Sequence, residues 1–111
     1  MAELLGTFEQ IVLLAVVALG EDAYGRSVLR EAQTKGSSKH GVAAGAVYAT
    51  LDRLEQKRYL SSRLEEGTPE RGGRARRFYR LTAQGAAALN ETRRILDRIW
   101  HGQRAWLEVW G

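Results

Sequence analysis

Residues 71–80 read RGGRARRFYR, with Leu81 and Thr82 directly after them. Five arginines, two glycines and two aromatic residues occupy ten positions that hold no acid. On the near side, Leu60, Ser62 and Leu64 alternate with Ser61, Arg63 and Glu65; on the far side, Tyr79 and Leu81 alternate with Phe78 and Arg80. Alternation with period two marks half-buried strands. Two such runs around Gly67, Pro69, Gly72 and Gly73 predict a β-hairpin with a long, flexible tip. Tyr79 and Leu81 are expected to hold the returning strand on the core.

The surroundings are helical. Leu4, Leu5, Phe8, Ile11, Val12, Ala15, Val16 and Leu19 recur at helical spacing, Gly20 stops that helix, and Asp22 is placed to cap the next. Tyr24, Val28, Leu29 and Ala32 form one face of a short second helix, and KGSSKHG at 35–41 reads as a loop. A third helix spans about Ala43 to Lys57, with Val47, Leu51 and Leu54 inward. Thr82 is a natural N-cap for a last helix that runs nearly to the C-terminus. The fold class is therefore mainly α with a small β-hairpin. It is a winged helix-turn-helix over residues 1–82, followed by a C-terminal dimerisation helix over 83–111.

The chain has 111 residues, 44% of them hydrophobic, which suits one domain with a small core. It has no cysteine, so disulfides and thiolate sites are excluded and a reducing, cytoplasmic location is expected. The longest apolar run, residues 11–19, is too short to span a bilayer, and Glu3 and Glu9 stand where a signal peptide carries basic residues. No membrane association is expected. Lys and Arg number 17 against 13 acids, for a net charge of +4; without the five arginines of the hairpin it is 12 against 13, or −1. All the positive excess is thus focused in ten residues, which points to a polyanionic partner.

On a winged helix-turn-helix, the third helix enters the major groove of double-stranded DNA and the hairpin lies along the neighbouring backbone. With Val47, Leu51 and Leu54 inward, the outward face holds Gly45, Ala46, Ala49, Thr50 and Arg53. Arg53 suits a guanine or a phosphate, and Thr50 and the alanines suit thymine methyls. In the wing, Arg74, Arg76 and Arg77 suit phosphates, and Gly73 allows close backbone approach. The plainer reading is a solvated basic loop balanced by Glu65, Glu66 and Glu70. Arg71 and Arg80 stay open, the latter equally suited to pairing with a strand-one glutamate. The recognition face is poor in Asn, Gln and Lys, so affinity is expected to rest on phosphates and DNA shape.

In the last helix, Leu89, Thr92, Leu96, Ile99, Gln103, Trp106 and Trp110 follow heptad spacing, interrupted locally at Gly102. Such a seam suits pairing with a second copy, through Leu89, Leu96, Ile99, Trp106 and Trp110, or folding back on the first helix. Trp100, Trp106 and Trp110 add a second idea. Leu96, Trp100 and Trp106 are candidate contacts for a small aromatic effector, with simple dimer packing as the alternative.

GAVYATLDRLEQKRYL at 45–60 and GGRARRFYRLTAQGAAAL at 72–89 resemble the PadR family of bacterial transcriptional regulators. The AYG turn at 23–25, the Val47–Tyr48 pair, the RLE triplet at 53–55 and the YRLT–x–x–G junction at 79–85 carry the likeness across essentially the whole chain. The single C-terminal helix is similar to the short-tailed subclass. That resemblance implies a homodimer joined through this helix and a repressor at a palindromic operator, in many members responsive to small apolar ligands. It also implies that Tyr48 donates its hydroxyl to a DNA phosphate, although a half-buried structural tyrosine fits the residue pattern equally. Two departures stand out. Arg58 replaces the usual glycine after the recognition helix, so a different helix end is expected; Ala43 replaces a capping serine.

An enzyme is not expected. His40 and His101 lack a nucleophile or paired carboxylate nearby, and GxSxG, HExxH and GxGxxG are absent, so neither cofactor nor metal is called for. Two other functions remain open: a winged-helix module whose basic wing binds an acidic protein, and a non-specific nucleic-acid binder.

Overall fold

Apolar spacing decides how the first three helices pack. The computed structural model describes residues 4–36 and 41–111, with Arg71 described by its backbone alone. Glu3, His40 and the loop residues 37–40 lie outside the described residues. Helix α1 spans Thr7–Leu19, α2 Gly25–Lys35 and α3 Ala44–Gln56; strands β1, Leu60–Glu65, and β2, Arg76–Leu81, precede α4, Ala83–Trp110. The core joins Val12, Leu13, Ala15 and Val16 of α1 with Val28 and Ala32 of α2 and Val47, Leu51 and Leu54 of α3. Each large aliphatic side chain buried there contributes about 1.5–3 kcal/mol.

The helix ends show the local logic. Gly20 ends α1, and a 3₁₀ turn over Gly20–Asp22 follows. Asp22 does not cap α2, contrary to the sequence reading. Tyr24 holds the N-cap position, and its N–H donates to Ser27 Oγ at 2.9 Å. The reason is tertiary: the 3₁₀ turn takes up Asp22, and Ala23–Tyr24 run extended beside β2, where the Tyr79 N–H donates to the Ala23 carbonyl at 2.8 Å. Helix α3 starts after Ala43 with no side-chain cap. It ends as glycine-capped helices do, although the capping residue is Arg58, with φ of +66°. The Tyr59 N–H reaches the Leu54 carbonyl at 2.9 Å and the Arg58 N–H reaches Glu55 at 3.0 Å, a Schellman arrangement. The expectation of a different helix end is therefore corrected: two backbone hydrogen bonds and the turn into β1 hold an L-residue in a left-handed conformation.

The hairpin is antiparallel, in register from Leu60 opposite Leu81 to Glu65 opposite Arg76. Its inner face carries Leu60, Leu81, Ser62 and Tyr79. Leu64, expected inward, is 63% exposed because it sits opposite Arg77 beyond the core's edge. Phe78 and Tyr79 point to opposite faces, yet both are buried at 8% exposure. Tyr24 bridges to Phe78 and covers the outer face, so the hairpin is not wet on either side there. At the tip, the Gly73 N–H donates to the Thr68 carbonyl at 2.8 Å and the Gly72 N–H to Pro69 at 3.1 Å. Gly72 and Gly73 have φ of +67° and +75°, which the turn requires and L-residues resist.

Thr82 caps α4 as expected, accepting from the Gly85 N–H at 3.0 Å. Gly85 packs against the Tyr59 carbonyl, where a Cβ would collide with the oxygen. Ala88 and Thr92 are buried as well, and Thr92 Oγ1 accepts the Leu5 N–H at 3.1 Å. The first turns of α4 therefore complete the core of residues 4–82, and Leu89 packs against that core too. From Asp97 onward the helix is exposed along its whole length, and it continues unbroken through Gly102.

Candidate nucleic-acid interface

An open cleft of about 640 Å³ separates the N-terminus of α2 and the face of α3 from β2 and the hairpin tip. Tyr24, Gly25, Arg26 and Tyr48 line it from the two helices, and Glu70, Arg74, Ala75, Arg76, Arg77 and Tyr79 from the hairpin. Four arginines converge on this concavity. Such a surface concentrates positive potential where a phosphate chain can enter. Tyr48 is 43% exposed, and its ring edge lies against Gly25, so α3 and the start of α2 meet at the cleft.

The three wing arginines named from the sequence differ in how they are held. Arg74 is exposed. The Arg76 guanidinium lies 4.1 Å from the centroid of the Tyr24 ring. Arg77 Nη1 donates to Ser62 Oγ at 3.0 Å, and the Ser62 hydroxyl donates to Glu55 Oε2 at 2.5 Å. That chain ties the wing to the last turn of α3. Arg80 sits opposite Ser61. Glu65, the glutamate of β1, is bonded by Arg63 at 3.0 Å. Burial, with the Asp52 and Glu55 carboxylates nearby, raises the Tyr79 phenol above its ordinary value, so it stays neutral in the cleft.

On α3, Gly45, Ala46, Ala49 and Arg53 are exposed, in line with the helical reading, and Tyr48, left open by the sequence, is exposed as well. Thr50 is not: it is 2% exposed and belongs to the inner face. Its position, three after Val47 and four before Leu54, puts it on the buried stripe. Its Oγ1 accepts a hydrogen bond from Arg53 Nη2 at 3.3 Å. Arg53 is further tied to α1, with Nε 3.6 Å from Glu9 Oε2, while Lys57 Nζ lies 2.9 Å from the same oxygen. Burial pushes the Glu9 carboxyl up, but the Lys57 and Gly6 hydrogen bonds and the charges of Lys57 and Arg53 outweigh it and hold the pKa below its ordinary value.

The candidate dimer and effector residues divide likewise. Leu96 is half-buried, whereas Ile99, Trp100, Trp106 and Trp110 are 59%, 61%, 63% and 74% exposed. A second groove, about 470 Å³, runs between α1 and α4 and is lined by Leu14, Val17, Leu89, Leu96 and Trp100 among others. Leu96 and Trp100 thus come together; Trp106 does not join them and packs against Trp110, ring centroids 5.5 Å apart. Two of the seven seam residues, Leu89 and Thr92, are already engaged by the chain's own core, which shortens the free seam.

Tyr24 and Arg26 of the cleft were not picked out from the sequence as site residues. Spacing puts Tyr24 on the apolar face of α2 and the family likeness puts it in the AYG turn, and no local pattern marks a helix start as the neighbour of a strand some fifty residues on. Among the described residues, no group of three or more His, Cys, Asp or Glu could hold a metal ion, and no helix is long and apolar enough to cross a membrane.

The model of the transcriptional regulator PadR-like family matches residues 13–91. The transcriptional regulator Rv3488 of Mycobacterium tuberculosis is 46% identical over 68 residues, a match that spans 60% of this chain and 60% of that protein. Among solved structures, a PadR family transcription regulator from Clostridium difficile superposes with a TM-score of 0.68 at 21% identity, over 92% of this chain and 99% of that one. A PadR family transcriptional regulator from Eggerthella lenta also gives 0.68, at 26% identity over 89% of this chain and 82% of its own.

Proposed function

This chain belongs to the PadR-like family of transcriptional regulators, and from that premise we propose that it is a dimeric repressor gripping a palindromic operator. The family is one of regulators, not enzymes. The observation that carries the proposal is the cleft in which Arg26, Arg74, Arg76 and Arg77 stand around Tyr48, an exposed residue of α3. In this reading α3 lies in the major groove, and Gly45, Ala46, Ala49 and Arg53 face the base edges. Tyr48 and the wing, including Gly73, follow the phosphates. The few hydrogen-bonding groups on α3 make backbone contacts and DNA shape the larger part of the affinity. Homodimerisation accounts for the apolar, exposed second half of α4, and a two-fold dimer presents two α3 helices to successive major grooves. The α1–α4 groove, in which Leu14, Val17, Leu96 and Trp100 stand beside the polar Gln10, Asn90, Arg93 and Asp97, is the place for a small aromatic effector that releases the operator.

The test is a salt titration on the DNA upstream of the protein's own gene. Replacing Arg74 and Arg76 by alanine flattens the slope of log K against log[salt] by about one unit per lost phosphate contact. An unchanged slope sinks the wing assignment, and equal affinity for scrambled DNA sinks sequence-specific repression. In the same samples, quenching of tryptophan fluorescence across a panel of flat aromatic compounds supports the effector; no response across the panel counts against it.

A further inference from the structure

We propose that Tyr24 is a positioning residue for DNA binding: its ring seats the Arg76 guanidinium and orders it before any phosphate arrives. The inference rests on the proposed role of the wing. Its basis is a row of four side chains on the outer face of the hairpin. Arg63 lies 5.2 Å from the Phe78 ring centroid, Phe78 and Tyr24 are 5.5 Å apart at 59°, and Arg76 lies 4.1 Å from the Tyr24 centroid. Each spacing falls within the range of cation–π or tilted aromatic contact.

The ring is fixed from outside the wing. Tyr24 is the N-cap residue of α2, its N–H bonded to Ser27 Oγ at 2.9 Å. Next to it, the Ala23 carbonyl accepts the Tyr79 N–H at 2.8 Å. Two backbone anchors thus hold the ring where β2 presents Arg76. The acid opposite Arg76 in register, Glu65, is occupied elsewhere: Arg63 Nε and Nη2 donate to its Oε1 at 3.1 and 3.0 Å. Arg63 therefore draws the carboxylate away, and Arg76 rests on a π-face.

The difference matters chemically. A carboxylate takes up the in-plane N–H donors of a guanidinium and cancels its charge. An aromatic ring engages the face and leaves the edge donors available for a phosphate. A freely rotating arginine loses its rotamers on binding, whereas one already resting on a ring has little left to lose. Tyr24 thereby raises DNA affinity without adding a charge, and it couples the start of α2 to the wing.

The experiment is a double-mutant cycle on operator affinity across a salt series, with Tyr24→Leu, Tyr24→Phe, Arg76→Ala and the Tyr24→Leu/Arg76→Ala pair. Tyr24→Leu weakens binding about two- to tenfold at a given salt with no change of slope, because the ordering of one side chain is lost and no charge is. Tyr24→Phe keeps the ring and retains the affinity. Arg76→Ala lowers the slope by about one, and Tyr24→Leu then costs nothing further. An equal loss from Tyr24→Leu in both backgrounds overturns the proposal, as does a Tyr24→Phe variant as weak as Tyr24→Leu. If Arg76→Ala changes neither affinity nor slope, the wing reading itself fails and takes the proposal with it. The unmutated protein supplies an independent measure: the Arg76 δ-proton resonances are shifted upfield by the Tyr24 ring current. Resonances at ordinary arginine positions overturn the proposal even if Tyr24→Leu does not fold.

Discussion

Arg58→Gly is expected to stabilise the protein, at the very turn where the recognition helix hands over to the wing. Arg58 has φ of +66° and closes α3 through the bonds from its own N–H to Glu55 at 3.0 Å and from the Tyr59 N–H to Leu54 at 2.9 Å. Its carbonyl also accepts the Thr82 hydroxyl at 2.6 Å, so the turn is held at three points and cannot relax. A left-handed L-residue costs about 1–2 kcal/mol. Glycine removes that cost but returns about 0.5–1 kcal/mol through the greater freedom of the unfolded chain. The net gain is about 0.5–1 kcal/mol, which for a domain of this size raises Tm by about 2–5 °C. The Arg58 side chain is exposed, so its removal opens no cavity. Thermal and urea unfolding, compared at one protein concentration, read the effect. Arg58→Ala is the control, since it removes the side chain and keeps the Cβ. Stabilisation by alanine as large as by glycine, or no gain with glycine, refutes the backbone-strain argument.

Glu9→Gln is expected to cost about 1 kcal/mol near neutral pH, a figure kept low because Arg53 is half exposed and screened by solvent. The folded Glu9 carboxyl titrates below its ordinary value of 4.5, so its contribution is present above that pH and is lost as pH falls through the lower folded value. Urea unfolding of the two proteins should therefore differ at pH 7 and converge in acid; a constant difference contradicts the ion-pair account. On the proposed pairing through α4, replacing Trp106 and Trp110 together by glutamate should leave a monomer in sedimentation at a micromolar concentration where the unmutated chain is a dimer. Because both are exposed in the single chain, the unfolding of its own core should change little, and a persistent dimer would place the interface elsewhere.

Much of the frame is written in local spacing. Val47, Leu51 and Leu54 announced the inner face of α3, Gly20 the end of α1, and Thr82 the start of α4. Thr50 goes against the outward reading: its spacing from Val47 and Leu54 places it on the buried stripe, where it is 2% exposed. Phe78 was a different case. Strict alternation assumes one dry face and one wet one, but Tyr24 covers the outer face and both Phe78 and Tyr79 are buried. Nothing around residue 78 signals a neighbour at residue 24.

The sequence by itself determined the order of helices and strands and the focusing of positive charge in the hairpin. Periodicity and composition are properties of neighbouring residues, and they survive whatever path the chain takes. The tertiary structure alone decided which arginines are anchored and how. Arg53 is tied to Glu9 and Arg76 to Tyr24, in pairs drawn from elements far apart in sequence, while Arg77 is tied to Ser62 across the hairpin. It also decided that α4 buries one face of its first part, through Gly85, Ala88 and Thr92, and exposes its second, because Tyr59 and Leu81 pack on Gly85 and Leu5 on Thr92. Such contacts depend on how the packed core orients one element against another, and no single stretch of residues carries that information.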